Sequence, residues 1–133
     1  MEDTLCIDTD VLVDLLRKKD NTLKWFEENE DNFQLATTTI NIFELYYGSY
    51  KSTDPDNSII AVNHLLDNLT ILTLDKETAR EAAQQLAKLS SEGNIIDFKD
   101  MFIGAIALKL GYSLKTNNKK DFKSKSSIIS NFK

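Results

Sequence analysis

Short apolar runs and segments of helical periodicity alternate along this chain. Thr4-Leu5-Cys6-Ile7 is a run of strand length that ends on Asp8, and it predicts a buried strand with a carboxylate at its end. Thr9 or Asp10 is placed to cap a following helix that carries Val11, Leu12, Leu15 and Leu16 on one face. Leu23, Trp25 and Phe26 mark a second short helix, backed by the acids between Glu27 and Asp31. Phe33-Gln34-Leu35-Ala36-Thr37 alternates as a strand, and a helix from Ile40 through Phe43, Glu44, Leu45 and Tyr47 is expected to stop near Gly48.

The polar stretch from Ser49 to Asp56 breaks the pattern. Asp54 and Pro55 read as an N-cap and a first-turn proline opening a helix with Ile59, Ile60, Val62, Leu65 and Leu66. Leu69 to Leu74 has strand composition. Asp75 then caps a helix striped by Ala79, Ala82, Ala83, Leu86 and Leu89 that ends near Gly93. The last long helix starts at Asp97 and is apolar nearly all round from Met101 to Leu108, so it should lie deep in the fold. Gly111 stops it, Tyr112 to Thr116 forms a further strand, and one more short strand is expected around Ile128 and Ile129. This alternation predicts an α/β fold with a mostly parallel sheet of about five strands, covered on both faces. Ligands of such sheets bind beyond the carboxyl ends of the strands.

The length of 133 residues suits one domain spanning the whole chain, and 41% hydrophobic with 28% charged residues is an ordinary globular mixture. Cys6 is the only cysteine, which excludes an internal disulfide, and its apolar surroundings make it a small core hydrophobe. His64 is the only histidine and falls on the predicted helix between Val62 and Leu65, a structural or surface position. A Cys–His or Ser–His nucleophile is therefore poorly supported, and a zinc site of Cys and His ligands is excluded by their number. No apolar run approaches the ~20 residues needed to span a bilayer and no signal-peptide pattern opens the chain, so a cytoplasmic, membrane-free protein is expected. The net charge of −5 argues against a nonspecific nucleic-acid binder, yet it suits a cluster of carboxylates built to hold a cation.

The chemistry is expected among those carboxylates. Asp8 ends the first strand, Glu44 lies in the first turn of the helix after the second, Asp100 lies in the first turn of the buried helix, and Asp121 follows the strand ending at Thr116. Parallel strands would bring all four to one edge of the sheet, where they repel unless a cation sits between them. Magnesium or manganese would take such oxygen ligands, and a metal of this kind serves phosphodiester hydrolysis without histidine or cysteine. Each acid also has a structural reading. Asn41-x-x-Glu44 and Asp97-x-x-Asp100 both look like capping boxes, Asp8 could merely turn the chain, and Asp121 could cap a final turn. Asp10 and Asp14 read as cap and surface residues.

Four stretches, in order, resemble the motifs of PIN domains. Ile7-Asp8-Thr9-Asp10-Val11-Leu12 is similar to the opening motif, and Thr39 to Gly48, built on Glu44 and ending Tyr47-Gly48, to the second. Asp100-Met101-Phe102-Ile103-Gly104-Ala105-Ile106-Ala107 is similar to the third, and Thr116-Asn117-Asn118-Lys119-Lys120-Asp121-Phe122 to the closing Thr-x-Asn-x-x-Asp-Phe pattern. The resemblance covers the chain from about Thr4 to Phe122, and its length and glutamate position are particularly similar to the VapC-like toxins of prokaryotic toxin–antitoxin pairs. Asp10, where Asn or Ser is more usual, and Gly104, in place of the commoner alanine, are departures.

The resemblance implies a three-layer α/β/α fold and a magnesium- or manganese-dependent endoribonuclease. Carried over by position, Asp8, Glu44 and Asp100 would be the principal metal-holding acids, with Asp121 completing the site. Thr9 and Thr116 would support them by hydrogen bonding, and Asn118 stands where the family is sometimes acidic. The implied partners are RNA, a protein antitoxin whose peptide occupies the groove, and a second copy of the chain in a homodimer. Among the lysines, Lys119 and Lys120 are the better candidates for RNA contact, because they lie between Asn118 and Asp121. Rival readings are a PIN-fold binding or RNA-processing module without a toxin role, and a haloacid-dehalogenase-type phosphatase suggested by Asp8-Thr9-Asp10. The phosphatase would expect Thr or Val at Leu12 and a late Asp-Asp pair. A phosphoacceptor receiver domain, with Asp75 as its acceptor, is more remote.

Overall fold

The computed structural model describes residues 3–94 and 96–117. The elements run β1 (Asp3–Ile7), α1 (Thr9–Leu16), α2 (Asp20–Asn29), β2 (Phe33–Thr38), α3 (Thr39–Tyr50), α4 (Pro55–Leu66), β3 (Thr70–Leu72), α5 (Lys76–Ser91), α6 (Phe98–Leu110) and β4 (Ser113–Lys115). The four described strands form one sheet in the order β3-β2-β1-β4. Every pairing is parallel, with Leu5 opposite Leu35 and Ser113, and Ala36 opposite Thr70.

The pleat divides β1 between two cores. Leu5 and Ile7, with Leu35 of β2, face Val11, Leu12, Phe26, Leu45 and Val62 from α1 to α4. Cys6, with Ala36 and Leu72, faces Ile106 and Ala107 of α6 on the other side, and α5 packs outside α6 through Ala82 and Leu89. A sheet covered by helices on both faces is the expected three-layer arrangement. Cys6 is fully buried and His64 is exposed, as their surroundings in the sequence predict. The helix from Phe98 is buried at Met101 and from Ile103 to Ala107, and Gly111 ends it in the left-handed conformation at φ +78°.

Three boundaries differ from expectation. The helix predicted to stop near Gly48 continues to Tyr50, because Ser49 is buried and accepts a hydrogen bond at 2.8 Å from the hydroxyl of Ser58 on α4. Tertiary contact thus carries the helix past a residue of low helix propensity. Strand β3 keeps three of the six residues from Leu69 to Leu74, since among the described residues it lies at the sheet edge and pairs only with the end of β2. Strand β4 is likewise shorter than Tyr112–Thr116. The strand expected near Ile128 lies outside the described residues.

Helix α6 is pinned to α5 by an ion pair near its C-terminal end. Asp75 caps α5 by accepting from Thr78 N at 2.7 Å, and Lys109 of α6 reaches Asp75 at 3.6 Å and Glu77 at 3.2 Å. The hydrogen bonds from Thr78, followed by the attraction of Lys109, hold the Asp75 carboxyl below its ordinary value of 3.8. A lowered folded-state value gives stability that is present above the unfolded pKa and lost as pH falls through the folded one.

Two measurements check this account. The melting-temperature gap between wild type and Asp75→Asn should be widest near neutral pH and should narrow as pH falls below the carboxylate range. In urea unfolding, Ile106→Ala should cost ~2–5 kcal/mol by opening a cavity under the sheet, whereas Ile60→Ala, at a site 53% exposed, should cost less than ~0.5 kcal/mol.

Candidate functional site

The carboxyl end of β1 carries the first acid, and the strand itself fixes it. Asp8 N donates to Lys115 O at 2.9 Å, one residue beyond the register that pairs Ile7 with Lys115. Its φ of −76° and ψ of 160° are still extended, and its side chain accepts from Thr9 N at 3.0 Å. Asp8, rather than Thr9 or Asp10, is therefore the N-cap of α1. The residue that turns the chain and the candidate site acid are one and the same.

Asn41 organises what surrounds it. The expected capping box beginning at Asn41 instead begins three residues earlier: Thr38 is the cap and Asn41 the third helical residue. This shift places Glu44 in the second turn of α3 rather than the first. Thr38 N and Thr38 Oγ1 donate to Asn41 Oδ1 at 3.2 and 2.7 Å. On its other side, Asn41 Nδ2 donates to Asp8 Oδ1 at 3.1 Å and to Thr9 Oγ1 at 2.8 Å. Both amide hydrogens and the carbonyl oxygen are thus used in a side chain with no exposed surface. Thr9 Oγ1 in turn donates to Glu44 Oε1 at 3.0 Å. Next to this network Thr37, also fully buried, donates its hydroxyl to Ile7 O at 2.9 Å, which ties β2 to β1 just before the site.

Helix α6 comes to the same end. Asp97 caps it by accepting from Lys99 N at 2.8 Å, so the expected Asp97-x-x-Asp100 box closes at the second helical residue rather than the third. Lys99 Nζ lies 3.8 Å from Glu44 Oε2, and Asp100, the next residue, is half-buried in the first turn. The ammonium of Lys99 offsets part of the repulsion among the acids here.

The exit of β4 is held by acids that the spacing assigned to cap and surface roles. Asp10 Oδ2 accepts from Thr116 Oγ1 and from Asn117 N, both at 3.1 Å, and Asp14 accepts from the Asn117 amide and pairs with Lys19 at 3.2 Å. Thr116 is thus placed through Asp10. Asn118, Lys119, Lys120 and Asp121 lie outside the described residues.

Asp8, Thr9 and Glu44 share one hydrogen-bonded network, and Lys99, the residue before Asp100, reaches Glu44 from α6. Among the described residues, no group of three or more His, Cys, Asp or Glu side chains closes to metal-holding distance. The carboxylates and hydroxyl of this network offer oxygen atoms, a type of ligand suited to a hard divalent cation such as magnesium or manganese and unsuited to a thiophilic metal. Asn41 is the site residue that sequence reading missed as such. The available signal was Thr38-x-x-Asn41, the same three-residue spacing read one turn too late.

The PIN domain family's sequence profile matches residues 5–126. The chain is 30% identical over 117 residues, 87% of either chain, to a Haemophilus influenzae protein named Ribonuclease VapC2. It is 28% identical over 94 residues, 71% of either chain, to the tRNA(fMet)-specific endonuclease VapC of Salmonella typhimurium. Among solved structures, VapBC2 from Rickettsia felis, bound to a promoter DNA fragment, superposes with a TM-score of 0.82 at 24% identity, over 91% of this chain and 92% of that one. At that identity the structural likeness establishes the fold.

The network predicts an order of damage at Asn41. Asn41→Ala should lower stability by ~1–3 kcal/mol, because buried partners lose their bonds. Asn41→Asp should cost more, because it removes the Nδ2 donor and sets a carboxylate against that of Asp8. Chemical denaturation of the two variants beside wild type measures both.

Proposed function

This chain belongs to the PIN-domain family, and from that premise we propose that it is a magnesium- or manganese-dependent endoribonuclease, the toxin of a VapBC-type toxin–antitoxin pair. The observation that carries the reading is the network in which Asn41 and Thr9 orient Asp8 and Glu44 at the carboxyl end of the central strand. Local structure alone does not require a fully satisfied, buried amide whose donors go to an acid and to the hydroxyl beside it. A site that must hold two carboxylates in fixed orientation does.

Asp8, Glu44 and Asp100 would hold the metal, with Asp121 completing the set. When bound, the metal would polarise the phosphodiester and lower the pKa of the attacking water. The remaining work falls to the chain itself. Asn41 fixes the Asp8 carboxylate by one oxygen, Thr9 fixes Glu44 by one oxygen, and Lys99 offers the approaching phosphate a positive charge. Asp10 and Asp14 hold the β4 exit, from which Asn118, Lys119, Lys120 and Asp121 follow. The substrate class is RNA, and the name of the Salmonella relative makes transfer RNA the first candidate.

The antitoxin has a place to bind. A groove of about 380 Å³ lies among α1, α3 and α4, with Val13, Leu16 and Leu45 on its walls and Glu44 at its margin. A peptide laid there could bring a basic side chain to Glu44 and compete with metal. Phe43, Tyr47 and Tyr50 of α3 are 57–68% exposed, with the Phe43 and Tyr47 rings stacked at 6.0 Å, and this apolar row supports the expected homodimer. Among the described residues no helix is long and apolar enough to cross a membrane.

The test is cleavage of a mixed RNA pool with manganese, magnesium or EDTA, comparing wild type with Asp8→Asn and Asp100→Asn. Activity should require metal and fall by at least ~100-fold in either variant. Equal residual cleavage in all three proteins would mark a contaminant. Absence of cleavage by folded, antitoxin-free wild type would turn the reading toward a PIN-fold binding module.

A further inference from the structure

Beside the acid network, on the α1–α2 side of the sheet, lies a second cavity that the reading above does not use. It measures about 190 Å³ and is lined by Val11, Asn21, Thr22, Trp25, Lys115 and Asn117. Its position is set by the strands. Lys115 O accepts from Asp8 N at 2.9 Å, so the strand that brings Lys115 to the cavity lies directly beside the one that ends in the first site acid. Asn117 is held at its wall by Asp10.

The lining has a particular chemistry. Trp25 is half-buried, and the Lys115 ammonium stands 4.8 Å above its ring centroid, so that face of the indole meets a cation rather than hydrocarbon. Asn21 and Thr22, from the first turn of α2, bring an amide and a hydroxyl, and no carboxylate lines the cavity. A more open groove of about 710 Å³ adjoins it, sharing Asn21, Thr22 and Asn117 and adding Asp14, Asp20 and Lys19, of which Lys19 is paired with Asp14 at 3.2 Å, so Lys115 is the cation left to face a phosphate. A flat aromatic face, hydrogen-bonding side chains around it and a cation at the rim are what an unstacked nucleobase and its phosphate require.

We propose that this pocket receives one unpaired base of the RNA next to the scissile bond, stacked on Trp25 with its edge read by Asn21 and Thr22. Lys115 yields the ring face to the base and turns to the adjoining phosphate. The pocket then sets which nucleotide stands beside the acids and so selects the position of cleavage. This rests on the ribonuclease reading, which supplies the RNA.

Trp25 is the only tryptophan of the chain, so its emission reports on this pocket alone. The Asp100→Asn protein, in magnesium, is titrated with short single-stranded RNA oligonucleotides while Trp25 fluorescence is followed. RNA binding is measured in parallel by anisotropy of an end-labelled copy. Saturable quenching is expected, with the same midpoint as the anisotropy curve. Trp25→Leu should weaken RNA binding by ~10-fold and Trp25→Phe should restore most of it, as base–aromatic stacking requires. Circular dichroism checks the fold of both variants. If Trp25→Leu does not fold, the titration of the intact pocket decides by itself. RNA that binds without altering Trp25 emission would overturn the pocket while wild-type cleavage kept the nuclease reading intact. If wild type neither bound nor cleaved RNA, the nuclease reading would fall and the pocket with it.

Discussion

The amide of Asn41 sits where three elements meet, and the candidate site depends on it. Its carbonyl closes the cap of α3 at Thr38, and its amino group spans to Asp8 and Thr9 at the junction of β1 and α1. Carboxylates gathered at one end of a parallel sheet repel one another and tend to swing toward solvent. A buried donor that is itself fully committed prevents this at Asp8, because turning away would leave an amide hydrogen without a partner in the interior. The order then passes along the chain of bonds: Asn41 holds Thr9, and Thr9 holds Glu44.

Much of the architecture was legible because it follows from periodicity and caps. Asp54, Asp75 and Asp97 each cap the helix predicted to follow them. The apolar run before Asp8 became the central strand, and the helix apolar on all sides became the one packed against both the sheet and α5. Two of the misread features depended on contacts beyond the local sequence. Nothing local to Gly48 says that α3 continues; the reason is the hydroxyl of Ser58, nine residues on, meeting Ser49. Nothing local to Asp10 says that it will hold Thr116, more than a hundred residues away.

The candidate acids were legible as a set because their positions at the ends of strands and starts of helices are topological facts. Their fine placement was not. The reading of Asn41 as a cap put Glu44 one turn too early, and only the pairing of Thr38 with Asn41 corrects it. Structural and functional readings of Asp8 turned out not to compete, since its carboxylate caps α1 and belongs to the acid network at once.

Strand β3 has one further consequence. It is three residues long, lies at an edge of the described sheet and exposes Ile71. So short an edge presents too little peptide backbone to template another strand, which guards against edge-to-edge association. A protein partner arriving on that side cannot extend the sheet by strand addition and must be recognised through helix surfaces instead. Recognition there is a matter of side-chain shape and charge, so it can be specific to one partner where backbone pairing would accept many.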